Sequence, residues 1–245
     1  MTQPSDSIGE TTAVSVSNRN AASQIVLVCE HASNHIPDCY NQLGLSFEVV
    51  QSHVAWDPGA GELARKLADM LDCALVESRV FRLVYDCNSP PEVESAMPTK
   101  SEVYDIFGNL NLSPEDKTNR VRDCYRPFHA AVADVLTSRT DEAVLVTIHS
   151  FTPVYNGQAR DVEIGVLHDS DIRFAGAMMG MLPSTTSRKI QYNQPYSAQD
   201  GVTHTLKLHG ISRGILNVML EIRNDLLVTT EQIDTMACLL SPWIT

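Results

Sequence analysis

The sequence predicts a single-domain α/β fold: a three-layer α/β/α sandwich around a mixed, mostly parallel sheet. Strand-like runs alternate with helix signals over the whole length. The runs at 25–29 (IVLVC), 143–148 (AVLVTI) and 215–222 (ILNVMLEI) are largely apolar at successive positions, so both faces must be covered by helices. The length of 245 residues, with 43% hydrophobic and 20% charged residues, suits one large globular domain.

Each element has its own signal. Residues 1–23 are polar, rich in Ser, Thr, Asn and Gln, and show no charged-then-apolar leader pattern; they are expected to form a flexible tail ahead of a domain at 24–245. The run 25–29 is a buried central strand, followed by a polar loop with Pro37 and Gly44. Asp57-Pro58 opens a helix, Asp suiting the N-cap and Pro the first turn; the helix reaches about Leu71 and carries Leu63, Leu67, Met70 and Leu71 on one face. Short strands are expected at 74–77 and 81–85. A long loop at 88–112 holds Pro90, Pro91, Pro98 and Gly108, and long ordered loops tend to be functional. Ser113-Pro114-Glu115-Asp116 starts a helix that runs to about Ser138 with a kink at Pro127. Strands at 143–148 and 162–167, a helix at 172–182, a polar loop at 183–205 and a strand at 215–222 follow. Thr229 to Gln232 caps a last helix that should end before Pro242.

Composition narrows the function. Lys plus Arg total 18 against 30 Asp plus Glu, a formal charge of −12 that repels polyanions and argues against nucleic acid. No stretch approaches the roughly 18 apolar residues of a membrane span, and there is no basic amphipathic helix for an anionic membrane. Six Cys without a Cys-x-x-Cys pair exclude a zinc finger or thioredoxin-type motif, and buried reduced thiols fit a cytoplasmic protein.

Polar residues cluster where the central strands end, which is where ligands bind in such sheets. The first strand ends in Glu30-His31, the second in His149-Ser150 and the last in Glu221-Ile222-Arg223. Two imidazoles and a carboxylate brought together suit a zinc hydrolase, the imidazoles as ligands and the carboxylate as base. Each residue also has a plainer reading. A strand-end His can simply satisfy loop carbonyls, Asp57 can be a helix N-cap, and Glu221 can pair with Arg223 on the same strand face. No Gly-x-Ser-x-Gly is present, so a serine nucleophile is disfavoured.

Eight segments, in order and over about 200 of the 245 residues, resemble the predicted branch of the N-formylglutamate amidohydrolase family. They are VCEHASNHIP (28–37), HVAWDPGAGELA (53–64), SRVFRLVYDCNSPP (78–91), YRPFH (125–129), TIHSFTP (147–153), ARDVEIGVLHD (159–169), NQPYS (193–197) and HGISRGILNVMLEIRNDL (209–226). That family is similar in fold to the zinc carboxypeptidases, whose His-Ser-aromatic and Glu-x-Arg segments match His149-Ser150-Phe151 and Glu221-Ile222-Arg223. The resemblance implies one zinc ion held by His31, Asp57 and His149, with Glu30 as the alternative to Asp57, because a carboxypeptidase-like second ligand is absent at Asn34. It implies Glu221 as general base and Arg160 as a catalytic anion stabiliser. Arg82, Asn88, Arg126, Tyr196 and Arg223 would bind substrate, an N-acyl amino acid such as N-formylglutamate. Two departures bear on that substrate. Relatives read Asn-Arg-Pro and Asn-Glu-Pro-Tyr-Ser where this chain reads Asn88-Ser89-Pro90 and Asn193-Gln194-Pro195-Tyr196-Ser197, so charged groups are lost at both places. A zinc amidase or carboxypeptidase with another substrate, and a non-catalytic binding protein on the same fold, are the alternative readings.

Overall fold

The computed structural model of the protein describes residues 13–139, 142–182 and 186–245. In chain order the strands are β1 (Val14–Ser17), β2 (Ile25–Cys29), β3 (Ala74–Ser78), β4 (Lys100–Ser101), β5 (Tyr104–Asp105), β6 (Val144–Phe151), β7 (Val154–Tyr155), β8 (Gln158–Ala159), β9 (Ile164–Leu167), β10 (Ile190–Tyr192) and β11 (Leu216–Arg223). The α-helices are α1 (Phe47–Val50), α2 (Ala60–Leu71), α3 (Pro114–Arg120), α4 (Arg126–Thr137), α5 (Arg173–Gly180) and α6 (Thr230–Ile244). Seven strands form one mixed sheet in the order β1-β3-β2-β6-β11-β9-β10, while β4–β5 and β7–β8 are separate hairpins. The run β3-β2-β6-β11 is parallel; β1 joins β3 and β9 joins β11 antiparallel.

The alternation of each central strand explains the three layers. In β2, Val26 and Val28 enter one core with Phe128, Val132 and Val135 of α4 and its approach. Ile25, Leu27 and Cys29 enter the opposite core with Leu63 and Leu67 of α2 and Met236 and Leu240 of α6. Strands apolar at every position are thus covered on both faces. β2, β6 and β11 occupy the interior of the sheet, and their carboxyl ends lie together.

Several expectations need correction. The segment expected as a tail contains β1, with Ala13 buried and Val14 to Ser17 registered against Ser78 to Leu75; residues 1–12 lie outside the described residues. Its Val-Ser-Val-Ser alternation is a half-buried edge-strand pattern hidden in a polar stretch. Residues 81–85 are no strand but a buried turn, in which Val84 and Tyr85 donate backbone hydrogen bonds to the Phe81 carbonyl. The helix expected from Asp57 begins at Ala60, with Gly59 at its N-cap; on that helix Met70 points outward and is 41% exposed.

The loop at 88–112 holds the β4–β5 hairpin, and that at 183–205 contributes β10; residues 183–185 lie outside the described residues. The helix expected over 113–138 is two helices joined by a π-helical turn at Val121–Tyr125, and Pro127 falls in the first turn of α4, where proline is tolerated. The last helix runs on through Pro242 to Ile244.

Candidate metal centre and active site

The site is built where β2, β6 and β11 end. Glu30 and His31 follow β2 directly. His149 lies inside β6 rather than after it, because that strand continues to Phe151. Parallel pairing registers Glu221 of β11 opposite His149, so both side chains leave the same face of the sheet. All three are buried, His31 at 4%, His149 at 2% and Glu221 at 4% exposure.

Asp57 completes the group. Its backbone N–H donates to the His31 carbonyl, and its own carbonyl accepts from Ala60, which ties the turn to the end of β2. Gly59 carries the turn at φ +80°, where a Cβ would lie 2.4 Å from the Leu227 Cβ. The Asp57 side chain makes no cap bond. One of its oxygens, Oδ2, lies 3.2 Å from His31 Nδ1, 2.9 Å from His149 Nδ1 and 3.3 Å from the Ser150 N–H. The two rings stand edge to face, their centroids 4.9 Å apart. His31, Asp57 and His149 each offer a ligand atom, all within 4.8 Å of one another. Asp57 is therefore not the cap of α2, and its carboxylate is turned to the two imidazoles.

Behind each imidazole stands another carboxylate. Asp86 Oδ1 lies 2.8 Å from His31 Nε2, and Glu30 Oε2 lies 3.0 Å from His149 Nε2, the latter an ion-pair contact off the hydrogen-bonding line. Carboxylates that orient metal-binding imidazoles from the far nitrogen are a recurrent support of such sites. Glu30 thus lies on the far nitrogen of His149, outside the group of His31, Asp57 and His149 that could hold a metal ion. Asp86 was missed from sequence. The available signal was an acid in the otherwise apolar stretch 83–87, where a carboxylate needs a partner.

The charges hold one another. Burial raises the carboxyls of Asp57 and Asp86, but the surrounding groups together outweigh it, His31 first for both, with His149 at Asp57 and Arg82 and the Asn88 N–H at Asp86, and hold both well below the usual carboxylate range. Burial likewise lowers His149, and Glu30 and Asp57 outweigh it, so its pKa is raised. Glu221 differs. Burial pushes its pKa up to about 7, Asp57 adds to this, and its Oε2 has no hydrogen-bond partner among the described residues. The expected pairing of Glu221 with Arg223 does not occur. Arg223 bridges to Asp225 at 2.8 Å and donates to the Arg160 carbonyl.

The centre opens into a cavity of about 280 Å³. Arg82, Asn88 and Tyr196 line it; Arg160, Arg126 and Arg223 do not. Arg82 donates to Asp57 at 3.3 Å and to Asp86 at 3.2 Å, tying the two carboxylates together. Asn88 accepts from the Thr205 N–H and donates to the Val202 carbonyl, closing the 202–205 segment over the site. Arg160 stacks on Tyr155 and Tyr196 at 4.5 and 4.8 Å and donates to the Tyr196 hydroxyl, behind rings that face the cavity. Arg126 is exposed on α4. His129, from the YRPFH segment, is structural: its Nε2 lies 2.9 Å from the Cys87 carbonyl and its Nδ1 2.9 Å from His209 Nε2, holding the 86–88 turn in place. One further position is dictated by space. Gly165 of β9 is registered opposite Glu221, and a Cβ there would lie 1.9 Å from the Gln194 carbonyl oxygen. That gap lets the 193–196 segment cross the sheet beside Glu221 and deliver Tyr196.

No curated protein matches the chain. Among solved structures, a gene product of Agrobacterium tumefaciens is 49% identical over 96% of this chain and 94% of its own, with a TM-score of 0.93. N-formylglutamate amidohydrolase from Ralstonia eutropha JMP134 superposes with a TM-score of 0.70 over 95% of this chain and 96% of its own, at 14% identity, so the fold is shared beyond recognisable sequence. The family model for N-formylglutamate amidohydrolase matches residues 23–228, a span that includes every residue of the centre described above. This chain belongs to the N-formylglutamate amidohydrolase family.

Proposed function

We propose that the protein is a zinc-dependent amidohydrolase that removes an N-acyl group, formyl in the first instance, from an amino acid. The observation that carries this is the convergence of His31, Asp57 and His149 beside an unpaired, buried Glu221. Two imidazoles and one carboxylate, each imidazole backed by a second carboxylate, form a donor set suited to zinc. Zinc held by these three residues supplies Lewis acidity toward water and the amide carbonyl.

The chain's own residues supply the rest. Glu221, whose pKa is placed near neutrality by burial, takes a proton from the attacking water and returns it to the leaving nitrogen. A C–O bond forms, the amide C–N bond breaks, and formate and a free amine leave. Arg82 has used two of its five N–H donors on Asp57 and Asp86; those remaining meet the substrate carboxylate or the charge developing on the carbonyl oxygen. Arg160 is a positioning residue that holds the Tyr196 hydroxyl in the cavity wall.

The test is formate release from N-formyl amino acids by zinc-loaded protein, with Glu221→Gln alongside. Turnover is expected, reduced at least ~10²-fold in the variant with zinc content unchanged. A zinc-loaded protein that releases no acid from any N-formyl or N-acetyl amino acid, or a variant as active as the parent, overturns the reading.

A further inference from the structure

We infer that the amino acid accommodated here carries one carboxylate and an uncharged, hydrogen-bonding side chain, so that a dicarboxylic substrate is disfavoured. This rests on the amidohydrolase reading for the reaction, but it stands on the charge pairing of the cavity itself. Five carboxylates line the cavity: Asp57, Asp86, Glu102, Asp200 and Glu221. A single guanidinium, Arg82, faces them, and it is shared between two of the five. His53, on the same lining, is matched by Glu102, with Nε2 2.8 Å from Oε1. Two nearby cations have no acidic partner among the described residues, and neither lines the cavity: Arg160 is held behind Tyr155 and Tyr196, and Lys100 is exposed on the β4–β5 hairpin beside Ser101.

A substrate α-carboxylate can therefore be met once, by the spare donors of Arg82. A second carboxylate meets a wall of hydroxyls instead. Ser89, Ser95 and Ser101 line that side, with Ser89 Oγ 3.4 Å from Ser95 Oγ, and Glu102 stands beside them. Hydroxyls both donate and accept, so they suit a carboxamide or hydroxyl side chain. The adjacent Glu102 is taken up by His53, so neither offers a charge to a second carboxylate, and even the two charges of a bound divalent ion leave the five carboxylates of the lining in excess.

The experiment compares N-formylglutamine with N-formylglutamate, which have nearly the same shape and differ by one charge. Specificity is read as kcat/KM on zinc-loaded parent protein, and binding as Kd by calorimetry on zinc-loaded Glu221→Gln, so that preference is measured without turnover. The glutamine compound is expected to be favoured by about tenfold or more in both readouts. Ser89→Arg is expected to shift the ratio toward glutamate, and Ser101→Arg, at a half-buried hairpin position, serves the same purpose if the buried change impairs folding. Equal or tighter binding of the glutamate compound overturns the inference. A binding preference for glutamine with no turnover of any N-formyl or N-acetyl amino acid supports it and overturns the hydrolase reading alone. Binding of neither compound overturns both.

Discussion

Glu221 is the residue on which the proposed chemistry turns, and its environment makes a prediction that needs no substrate. Its carboxyl is raised from 4.5 to about 7 by burial, so the folded chain prefers it protonated. The stabilising contribution of the protonated form is complete below about 4.5 and is lost as pH rises through about 7. In chelator-treated protein, Glu221→Gln removes that loss. Its melting temperature should match the parent near pH 4 and exceed it at pH 8, by the equivalent of up to ~3 kcal/mol. A difference that does not grow with pH would mean that Glu221 is ionised and paired in the fold. Asp57 illustrates a different lesson at the same scale. Asp-Pro ahead of an apolar periodicity looks like a helix start, yet the cap position falls to Gly59 and the carboxylate turns toward two imidazoles brought from elsewhere in the sequence. Local rules could not see those partners, 26 and 92 residues away.

At the scale of elements, the apolar runs were legible because burial on both faces leaves an unbroken signature, and β2, β6 and β11 fall where those runs lie. The strand-end residues His31, His149 and Glu221 were legible for the same reason, as polar groups at the ends of runs that otherwise exclude them. What could not be read was pairing at long range. β1 is polar on its outer face and gains its place only by registering against β3. Phe81 to Tyr85 has strand-like residues, but Phe81 donates its N–H to the His35 carbonyl and the chain turns there, which is what carries Arg82 and Asp86 to the site. The edge strand makes its own prediction. Removing residues 1–17 would strip β3 of its outer partner and leave an exposed edge. The truncated protein should melt several degrees lower, at roughly 2–4 °C per kcal/mol for a chain of this size, and aggregate more readily on heating. Unchanged melting and light scattering would show that β1 contributes nothing to stability.

For the molecule as a whole, the centre concentrates negative charge in a chain already at −12. A cation bound there is coupled to the stability of the entire fold, because ligand binding to the native state alone stabilises it. Zinc at about a hundredfold excess over its Kd should add ~2.7 kcal/mol. That corresponds to a rise of roughly 5–10 °C in melting temperature, reversed by chelator. Asp57→Asn keeps the size of the side chain and removes its charge; this variant should show little of the rise and bind less than one zinc per chain by elemental analysis. A parent protein whose melting is indifferent to zinc would separate the family fold from the proposed chemistry.

The missing side chain at Gly165 has a consequence for how such a chain can change over generations. The crossing segment leans on that position through the Gln194 carbonyl, an atom that every amino acid possesses. Residue 194 is therefore free to vary without disturbing the crossing, whereas residue 165 is not free at all. The tolerance of the wall that carries Tyr196 is set from a different strand, by a position that does not line the cavity and offers no functional group. Drift in the loop and constancy in the strand are two sides of one contact.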